Sequence, residues 1–139
     1  MIVNATVEKQ AVFQLRSDID VVAARRGVRD WAVEIGFSAL DMTKVVTAAS
    51  ELARNAVLHG GGGTMSLEVV RQAARRGLRM TFEDQGPGIH DLELAMRDGY
   101  TSGGGMGIGL PGARRLVNEF DVSARPSGGT SVTIVRWHR

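Results

Sequence analysis

The sequence predicts an α+β fold, a two-layer α/β sandwich in which a mixed, mostly antiparallel sheet carries helices on one face. The chain has 139 residues, the size of one domain with a substantial core, so we expect a single domain over residues 1–139. Its apolar residues change between strand and helix spacing in the order β-α-α-β-β-α-β-β. Strands that follow one another directly favour antiparallel hairpins, which leaves the helices to pack together on the sheet.

The first two predicted elements are a strand and a helix. Residues 10–16 alternate weakly between apolar and polar side chains, which is typical of a strand. Ser17, with Asp20 three positions later, has the pattern of a helix N-terminus, and Gly36 is typical of a helix end. Between them runs an apolar stripe with helical spacing, formed by Val21, Ala24, Val28, Trp31, Ala32 and Ile35.

The capping pattern recurs at the start of the next helix. Ser38 is followed by Asp41, which predicts a second helix over about 39–59. The remaining predicted elements are strands at 64–72 and 76–84, a short helix near 91–97, a third helix over about 107–119, and strands near 121–125 and 130–137. The first two of these strands are expected to form a hairpin whose turn lies near the segment AARRG.

Composition and charge exclude several classes of protein. With 17 basic and 15 acidic side chains, the formal net charge of +2 is too small to favour a nucleic-acid partner. The chain contains no cysteine, which excludes a disulfide framework, a thiolate metal site and a cysteine nucleophile. No apolar run approaches the length of a membrane span, and the N-terminus lacks the apolar segment of a signal peptide. We therefore expect a cytoplasmic protein that binds neither nucleic acid nor membrane.

Residues 101–116, TSGGGMGIGLPGARRL, form a glycine-rich segment that leads into the third helix. Such segments often bind phosphate, because free backbone N–H groups and the positive end of the helix dipole attract an anion. The preceding residues do not form the strand that a dinucleotide-binding loop requires, and the segment lacks the lysine of a P-loop. The catalytic motifs of eukaryotic-type kinases are also absent. By itself the segment is compatible with a phosphate site and with a flexible surface loop.

Two polar side chains lie four residues apart on the second helix. Glu51 and Asn55 occur in the stretch SELARNAVLHG and share one helix face, since residues i and i+4 are neighbours. A solvated polar face would have the same pattern. The spacing alone therefore leaves both a functional site and an ordinary helix surface open.

The segment FEDQGPGI, residues 82–89, places a carboxylate where the core is expected. Asp84 continues the apolar row of its strand, and burying its charge is costly unless a partner bonds it. Gly86 and Gly88 follow, and glycines let the backbone approach a ligand closely, although these residue types also favour ordinary turns. Thr130 likewise begins the apolar row of the last strand, where a strand-edge threonine is the alternative interpretation.

Together and in this order, the motifs resemble the ATP-binding (Bergerat) fold of the GHKL superfamily, which includes gyrase, MutL and histidine kinases. The resemblance implies an ATP site with Mg²⁺, in which Asn55 binds the metal and Asp84 bonds the adenine amino group. The glycine-rich segment would cover the phosphates, and the pair Gly129-Thr130 would support the adenine pocket. The nucleotide-binding residues implied in this way are Asn55, Asp84, Gly86, Gly88, Ile89, Gly103, Gly104, Gly105, Met106, Gly107, Ile108, Gly109, Leu110 and Thr130.

The whole chain resembles the RsbT-type serine kinases, the switch kinases of the bacterial stressosome, most specifically in SELARN and GLPGARRLVNEF. The resemblance implies a protein-serine/threonine kinase that phosphorylates STAS-domain antagonist and scaffold proteins in a stress-response partner-switching pathway. Glu51 would be the general base that takes the serine proton. Once released from that partner, the kinase is expected to activate a PP2C-type phosphatase. The segment LHGGGG, residues 58–63, departs from the family pattern by its additional glycines and is compatible with a loose turn.

Two other functions stay open at this point. An anti-sigma factor kinase would bind a sigma factor as well as phosphorylating a STAS antagonist. A non-catalytic module would only bind ATP and its partners, although such a module would not need Glu51. Arg54, beside Asn55, is compatible with a contact to the γ-phosphate or the substrate and with an ordinary solvated arginine.

Overall fold

The computed structural model describes residues 5–86 and 109–138. Within these ranges three helices pack on one face of a five-stranded sheet. In chain order the elements are β1 (Thr6–Leu15), α1 (Asp18–Ile35), α2 (Ala39–Leu58), β2 (Gly63–Gln72), β3 (Arg75–Asp84), α3 (Gly109–Arg115), β4 (Glu119–Ala124) and β5 (Thr130–His138). The predicted α+β sandwich and the order of these elements are confirmed.

All neighbouring strands are antiparallel, and their order across the sheet is β1-β2-β3-β5-β4. β2 and β3 form the predicted hairpin, whose two-residue connection contains Ala73 with a positive φ of 55°. β5 lies between β3 and β4. Because β3 and β5 are antiparallel neighbours, the end of β3 adjoins the start of β5.

The two long helices begin next to the predicted capping residues, but only one has the predicted cap. The hydroxyl oxygen of Ser38 accepts a hydrogen bond from the backbone N–H of Asp41 (3.1 Å), which satisfies a free donor at the start of α2. Ser17 makes no such bond at the start of α1. Instead the Asp20 carboxylate accepts a hydrogen bond from the backbone N–H of Arg16 (2.8 Å), so the acidic side chain fixes the chain as it enters this helix.

The hydrophobic core lies between the sheet and the helices. On α1 the buried residues are Ala24, Val28, Ala32 and Ile35, four of the six in the predicted stripe. α2 and the strands contribute further buried side chains, among them Val45, Ala49, Leu52, Met65, Leu67, Leu78, Met80 and Ile134. A smaller cluster of Val70, Val135 and Trp137 is separate from this core. None of the described helices is both long and apolar enough to span a bilayer.

The element boundaries differ most from the prediction at β1, α3 and β4. β1 begins at Thr6, four residues earlier than expected, and α3 ends at Arg115, four residues earlier than expected. Glu119, predicted as the last residue of the third helix, instead belongs to β4 and pairs with β5, as does Phe120. Helical apolar spacing continues past Arg115, but β5 has an edge whose backbone groups need partners, and strand pairing provides them. The short helix expected near 91–97 lies outside the described residues.

Candidate functional site

The carboxylate of Asp84 joins the ends of two strands. Its Oδ1 atom accepts hydrogen bonds from the backbone N–H groups of Gly86 (3.0 Å) and Thr130 (3.2 Å). Both donors bond the same oxygen, so among the described residues the second oxygen, Oδ2, is left open to accept a hydrogen bond from a ligand. The structure thus brings three sequence-predicted residues together, and we call Asp84, Gly86 and Thr130 the Asp84 cluster.

Strand register explains why this carboxylate lies here. The buried row of alternate β3 side chains leads directly to Asp84, as the sequence predicted. Glu83 pairs with Ser131, so Asp84 and Thr130 follow as the next residues at the same end of the sheet. Asp84 is half-buried and Thr130 is buried. Two backbone donors offset the cost of holding a carboxylate in such a position.

Three glycines pack against this cluster so closely that a side chain would not fit. A β-carbon on Gly60 would lie 2.5 Å from the Asp84 β-carbon, and one on Gly86 would lie 2.6 Å from the α-carbon of Gly60. A β-carbon on Gly129 would overlap the carbonyl oxygen of Asp84. The sequence of residues 58–63 is compatible with a loose turn, but in the structure this segment is tightly packed against Asp84 at Gly60. Gly60 lets the chain that leaves α2 approach the end of β3.

Arg125, which the sequence did not indicate, also holds the end of β3. Its Nη1 atom donates a hydrogen bond to the carbonyl oxygen of Asp84 (2.7 Å), and its Nε atom lies 4.0 Å from a carboxylate oxygen of Glu83. The backbone N–H of Arg125 donates to the carbonyl oxygen of Gly129 (3.0 Å). An arginine after a strand has no special signal in a sequence, so only the fold reveals this contact.

α2 holds Glu51 in a buried position. The residue is 6% exposed, and its Oε1 atom accepts a hydrogen bond from the guanidinium of Arg54 (3.0 Å). This bond orients the carboxylate and partly offsets its burial. Arg54 is 51% exposed, as expected for a solvated arginine, but its guanidinium is bonded to Glu51. Asn55, one turn after Glu51, is half-buried on the same side of the helix.

The last turn of α2 connects Asn55 with the Asp84 cluster. The carbonyl oxygen of Asn55 accepts hydrogen bonds from the backbone N–H groups of His59 (2.9 Å) and Gly60 (3.2 Å). Gly60 in turn packs directly against Asp84. The position of Asn55 is therefore fixed relative to the end of β3 through a single intervening residue.

The described part of the glycine-rich segment begins at α3. Gly109 opens this helix with a positive φ of 69°, a conformation that strains residues with a β-carbon. Leu110 is buried in the core, and α3 packs against α2. The other predicted residues of the two glycine motifs lie outside the described residues: Gly88, Ile89, Gly103, Gly104, Gly105, Met106, Gly107 and Ile108.

The chemistry of the donor set limits how a metal could be held. Residues 5–86 and 109–138 contain no group of three or more histidine or acidic side chains that could hold a metal ion by themselves. A Mg²⁺ ion near α2 would take most of its ligands from phosphate and water oxygens, as this ion commonly does. The amide oxygen of Asn55 is a ligand of the type that Mg²⁺ accepts. The residues present thus fit a metal that arrives with a nucleotide.

Comparison with known proteins identifies relatives over most of the chain. The family model described as histidine kinase-like ATPase domain matches residues 13–136. The serine/threonine-protein kinase RsbT of Bacillus subtilis (strain 168) is 41% identical over 130 residues, which cover 94% of this chain and 98% of that protein. An anti-sigma F factor of Thermoanaerobacter sp. (strain X514) is 27% identical over 119 residues, which cover 82% of each chain.

Two solved structures share the fold. A structure of the RsbU and RsbW domains of a Mycobacterium tuberculosis protein has a TM-score of 0.65 and 23% identity, and it covers 92% of this chain and 32% of that chain. The mycobacterial sensor histidine kinase MprB has a TM-score of 0.56 and 18% identity, with 94% of this chain and 99% of that chain covered. At these identities the likeness supports the fold alone.

Proposed function

Because this chain belongs to the histidine kinase-like ATPase domain family, and within it to the RsbT-type serine/threonine-protein kinases, we propose that it transfers the γ-phosphoryl group of ATP to a serine of a STAS-domain protein. The observation that carries this proposal is the Asp84 cluster. It holds a carboxylate at the end of the sheet with one oxygen bonded to the backbone and, among residues 5–86 and 109–138, the other open to a ligand.

The open Oδ2 atom of Asp84 matches the chemistry of adenine. A carboxylate oxygen accepts hydrogen bonds only, and the adenine amino group is a donor. The glycines around the cluster carry no side chain that would block a flat base, and the backbone N–H of Thr130 fixes the carboxylate from the other side. Gly109 and the start of α3 would then face the phosphates, with Leu110 anchoring that helix in the core.

Glu51 is the residue that we assign to proton transfer. In this reaction the serine oxygen forms a bond to the γ-phosphorus, the bond from that phosphorus to the bridging oxygen of ADP breaks, and Glu51 takes the serine proton. Such a base typically contributes about 10²–10⁴-fold to the rate. Arg54 holds the Glu51 carboxylate in one orientation. Mg²⁺, held by Asn55 and the phosphates, would neutralise charge, and positioning would supply much of the remaining acceleration.

The partners follow from the same family membership. We assign the STAS-domain antagonist and scaffold proteins as substrates, and a PP2C-type phosphatase as the protein that the free kinase activates. This is partner switching, since phosphorylation of one partner makes the kinase available to the other. Phosphoserine carries about two negative charges near neutral pH, and repulsion from the nucleotide phosphates would favour release of the product. We place the pathway in the bacterial cytoplasm.

An anti-sigma factor is the second candidate, favoured by the 27% identity to the anti-sigma F factor of Thermoanaerobacter. Such a protein would bind a sigma factor in addition to phosphorylating its antagonist. A purely ATP-binding module is less consistent with the site, because Glu51 is buried and held in an ion pair. A sigma-factor pull-down separates the first two functions.

The decisive experiment incubates the purified protein with Mg-ATP and the STAS-domain proteins encoded near its gene. Phosphoserine on one of them, found by mass spectrometry, is the expected result. The matched control is the Glu51→Gln variant, which should bind ATP but transfer little phosphate. Sigma-factor binding without transfer to any STAS protein would instead favour the second candidate.

A further inference from the structure

The connection between β4 and β5 holds Asp84 from two directions. The backbone N–H of Thr130 donates to the Oδ1 atom of Asp84 (3.2 Å), and the side chain of Arg125 donates to the carbonyl oxygen of Asp84 (2.7 Å). Within the connection, the backbone N–H of Arg125 donates to the carbonyl oxygen of Gly129, the residue directly before Thr130 (3.0 Å). The three hydrogen bonds therefore close a ring, and we call these four residues the Arg125 ring.

The ring forms where the regular pairing of β3 and β5 ends. The last pair in the register is Glu83 with Ser131. Beyond this pair, the carbonyl oxygen of Asp84 and the N–H of Thr130 are partly buried and need other partners. The side chains of Asp84 and Arg125 supply them. Because the guanidinium of Arg125 is charged and its side chain is only 21% exposed, its bond to the Asp84 carbonyl is stronger than one between neutral groups.

The ring determines which oxygen of Asp84 a ligand can reach. The Oδ1 atom already accepts hydrogen bonds from Gly86 and Thr130, so among residues 5–86 and 109–138 only Oδ2 is open. Rotating the carboxylate would break its bond to Thr130. Arg125 prevents Thr130 from moving with the carboxylate, because it ties the neighbouring Gly129 to the Asp84 carbonyl. The carboxylate therefore presents a single acceptor atom in one fixed orientation.

A single acceptor atom distinguishes adenine from guanine. Adenine offers one amino group, which one carboxylate oxygen satisfies. Guanine offers two neighbouring donors, its N1–H and its 2-amino group, and a carboxylate with both oxygens free can accept from both. A carboxylate therefore excludes guanine only if it is held with one oxygen occupied. We propose that Arg125 is a positioning residue that sets the preference of the site for adenine, by keeping Oδ1 of Asp84 unavailable to the base. This inference rests on the proposed ATP site.

The test compares the binding of ADP and GDP to the full chain by calorimetry in the presence of Mg²⁺. The quantity measured is the ratio of the two dissociation constants, which we expect to favour ADP in the wild type. Arg125→Met keeps a long unbranched side chain but removes the donors, so the preference for ADP should fall at least about tenfold. Arg125→Lys retains a charged donor for the Asp84 carbonyl, and its preference for ADP should lie between those of the wild type and Arg125→Met.

Arg79→Met is the matched control. The side chain of Arg79 is 19% exposed and donates a 2.7 Å hydrogen bond to Glu68, so its loss should lower the Tm without changing the preference for ADP. If Arg125→Met does not fold, a reduced preference in Arg125→Lys supports the proposal. An unchanged preference in every folded Arg125 variant, or an equal fall in Arg79→Met, would overturn the role of Arg125 and leave the ATP site intact. A wild type that binds neither nucleotide would overturn the ATP site and this inference with it.

Discussion

The backbone N–H of Thr130 donates a 3.2 Å hydrogen bond to the carboxylate of Asp84, across 46 positions of the chain. The same Oδ1 atom accepts from Gly86. Because the two bonds share one oxygen, the structural function of this carboxylate and its proposed ligand-binding function are divided between its two oxygens. A substitution that changes one oxygen and keeps the other can therefore separate them.

Asp84→Asn is that substitution. The amide retains an oxygen for Gly86 and Thr130 but points a donor, in place of an acceptor, toward the adenine amino group. We expect a loss of about 1–3 kcal/mol in ATP binding with the fold intact, measured by calorimetry and circular dichroism. The wild type should bind GTP poorly, because guanine has a carbonyl at the matching position. Equal affinities of the wild type for ATP and GTP would contradict the assignment, and Asp121→Asn on the exposed side of β4 is the control.

Glu51→Gln should separate chemistry from binding. The variant keeps the size of the side chain but removes the base, so phosphotransfer should fall by about 10²–10⁴-fold while ATP affinity changes little. Asn55→Ala should instead reduce Mg²⁺-dependent binding and turnover together. Arg54→Ala removes only the ion-pair partner of Glu51 and should have a smaller effect on the rate. Transfer at the wild-type rate by Glu51→Gln would require a different base.

Gly60→Ala tests whether the turn after α2 shapes the nucleotide site. Its β-carbon would lie 2.5 Å from that of Asp84, so either the turn or the end of β3 must move. Overpacking of this kind commonly costs about 1–3 kcal/mol, and we expect weaker ATP binding together with a lower Tm. Gly61→Asn is the matched control, since position 61 has a positive φ that asparagine tolerates and has open space around it. A Gly60→Ala variant with normal ATP affinity would mean that the close contact is not needed for binding.

Gly109→Val tests the phosphate side of the site. Valine is strained at a φ of 69°, so the start of α3 should shift. ATP and ADP binding should weaken, whereas AMP, which lacks the outer phosphates, should be much less affected. Gly112→Ala, one turn later on α3, should be tolerated better. If ATP and AMP lost affinity equally, the glycine would shape the whole pocket and not the phosphate site alone.

Asp41 should make the fold sensitive to acid. The hydrogen bond from Arg136 is the largest cause that holds the pKa of this carboxyl below the ordinary aspartate value. A pKa that is lower in the folded state stabilises the fold above the unfolded-state value, and that stabilisation is lost as the pH falls through the folded-state value, hence below about pH 4. Thermal unfolding of Asp41→Asn should therefore depend less steeply on pH in this range than that of the wild type. Identical pH profiles of the two proteins would show that the ion pair between Asp41 and Arg136 contributes nothing to stability.

The polar residues at the ends of β3 and β5 were predictable because apolar side chains alternate along both strands. Asp84 and Thr130 each continue an apolar row of alternate residues, and strand geometry fixes which face such a row takes. Their direct contact was implied only by the resemblance to a family, since strand order is not visible in local spacing. The strand pattern and the family resemblance agree because the Asp84 cluster forms where the apolar row of β3 ends and that of β5 begins.

Contacts between distant segments were not predictable in the same way. Arg125 and Arg136 each hold a backbone carbonyl oxygen, and an arginine that does so has the same sequence as one on an open surface. Glu119 was assigned to a helix because local spacing cannot show that an edge of β5 is available. Gly60 was noticed only as part of a surplus of glycines. The close approach of Asp84, which explains why this position is a glycine, exists only in the folded chain.

The position of β5 has a consequence for how the protein is made. β5 follows β4 in the chain but lies between β4 and β3 in the sheet, and β4 pairs with no other described strand. On the ribosome, β4 therefore emerges before the strand that it needs, and one edge of β3 stays uncovered until β5 inserts. Thr130 reaches Asp84 in that same event. Nucleotide affinity should thus appear only when this strand has been synthesised and has inserted into the sheet. We therefore expect ATP to bind completed chains and not nascent ones.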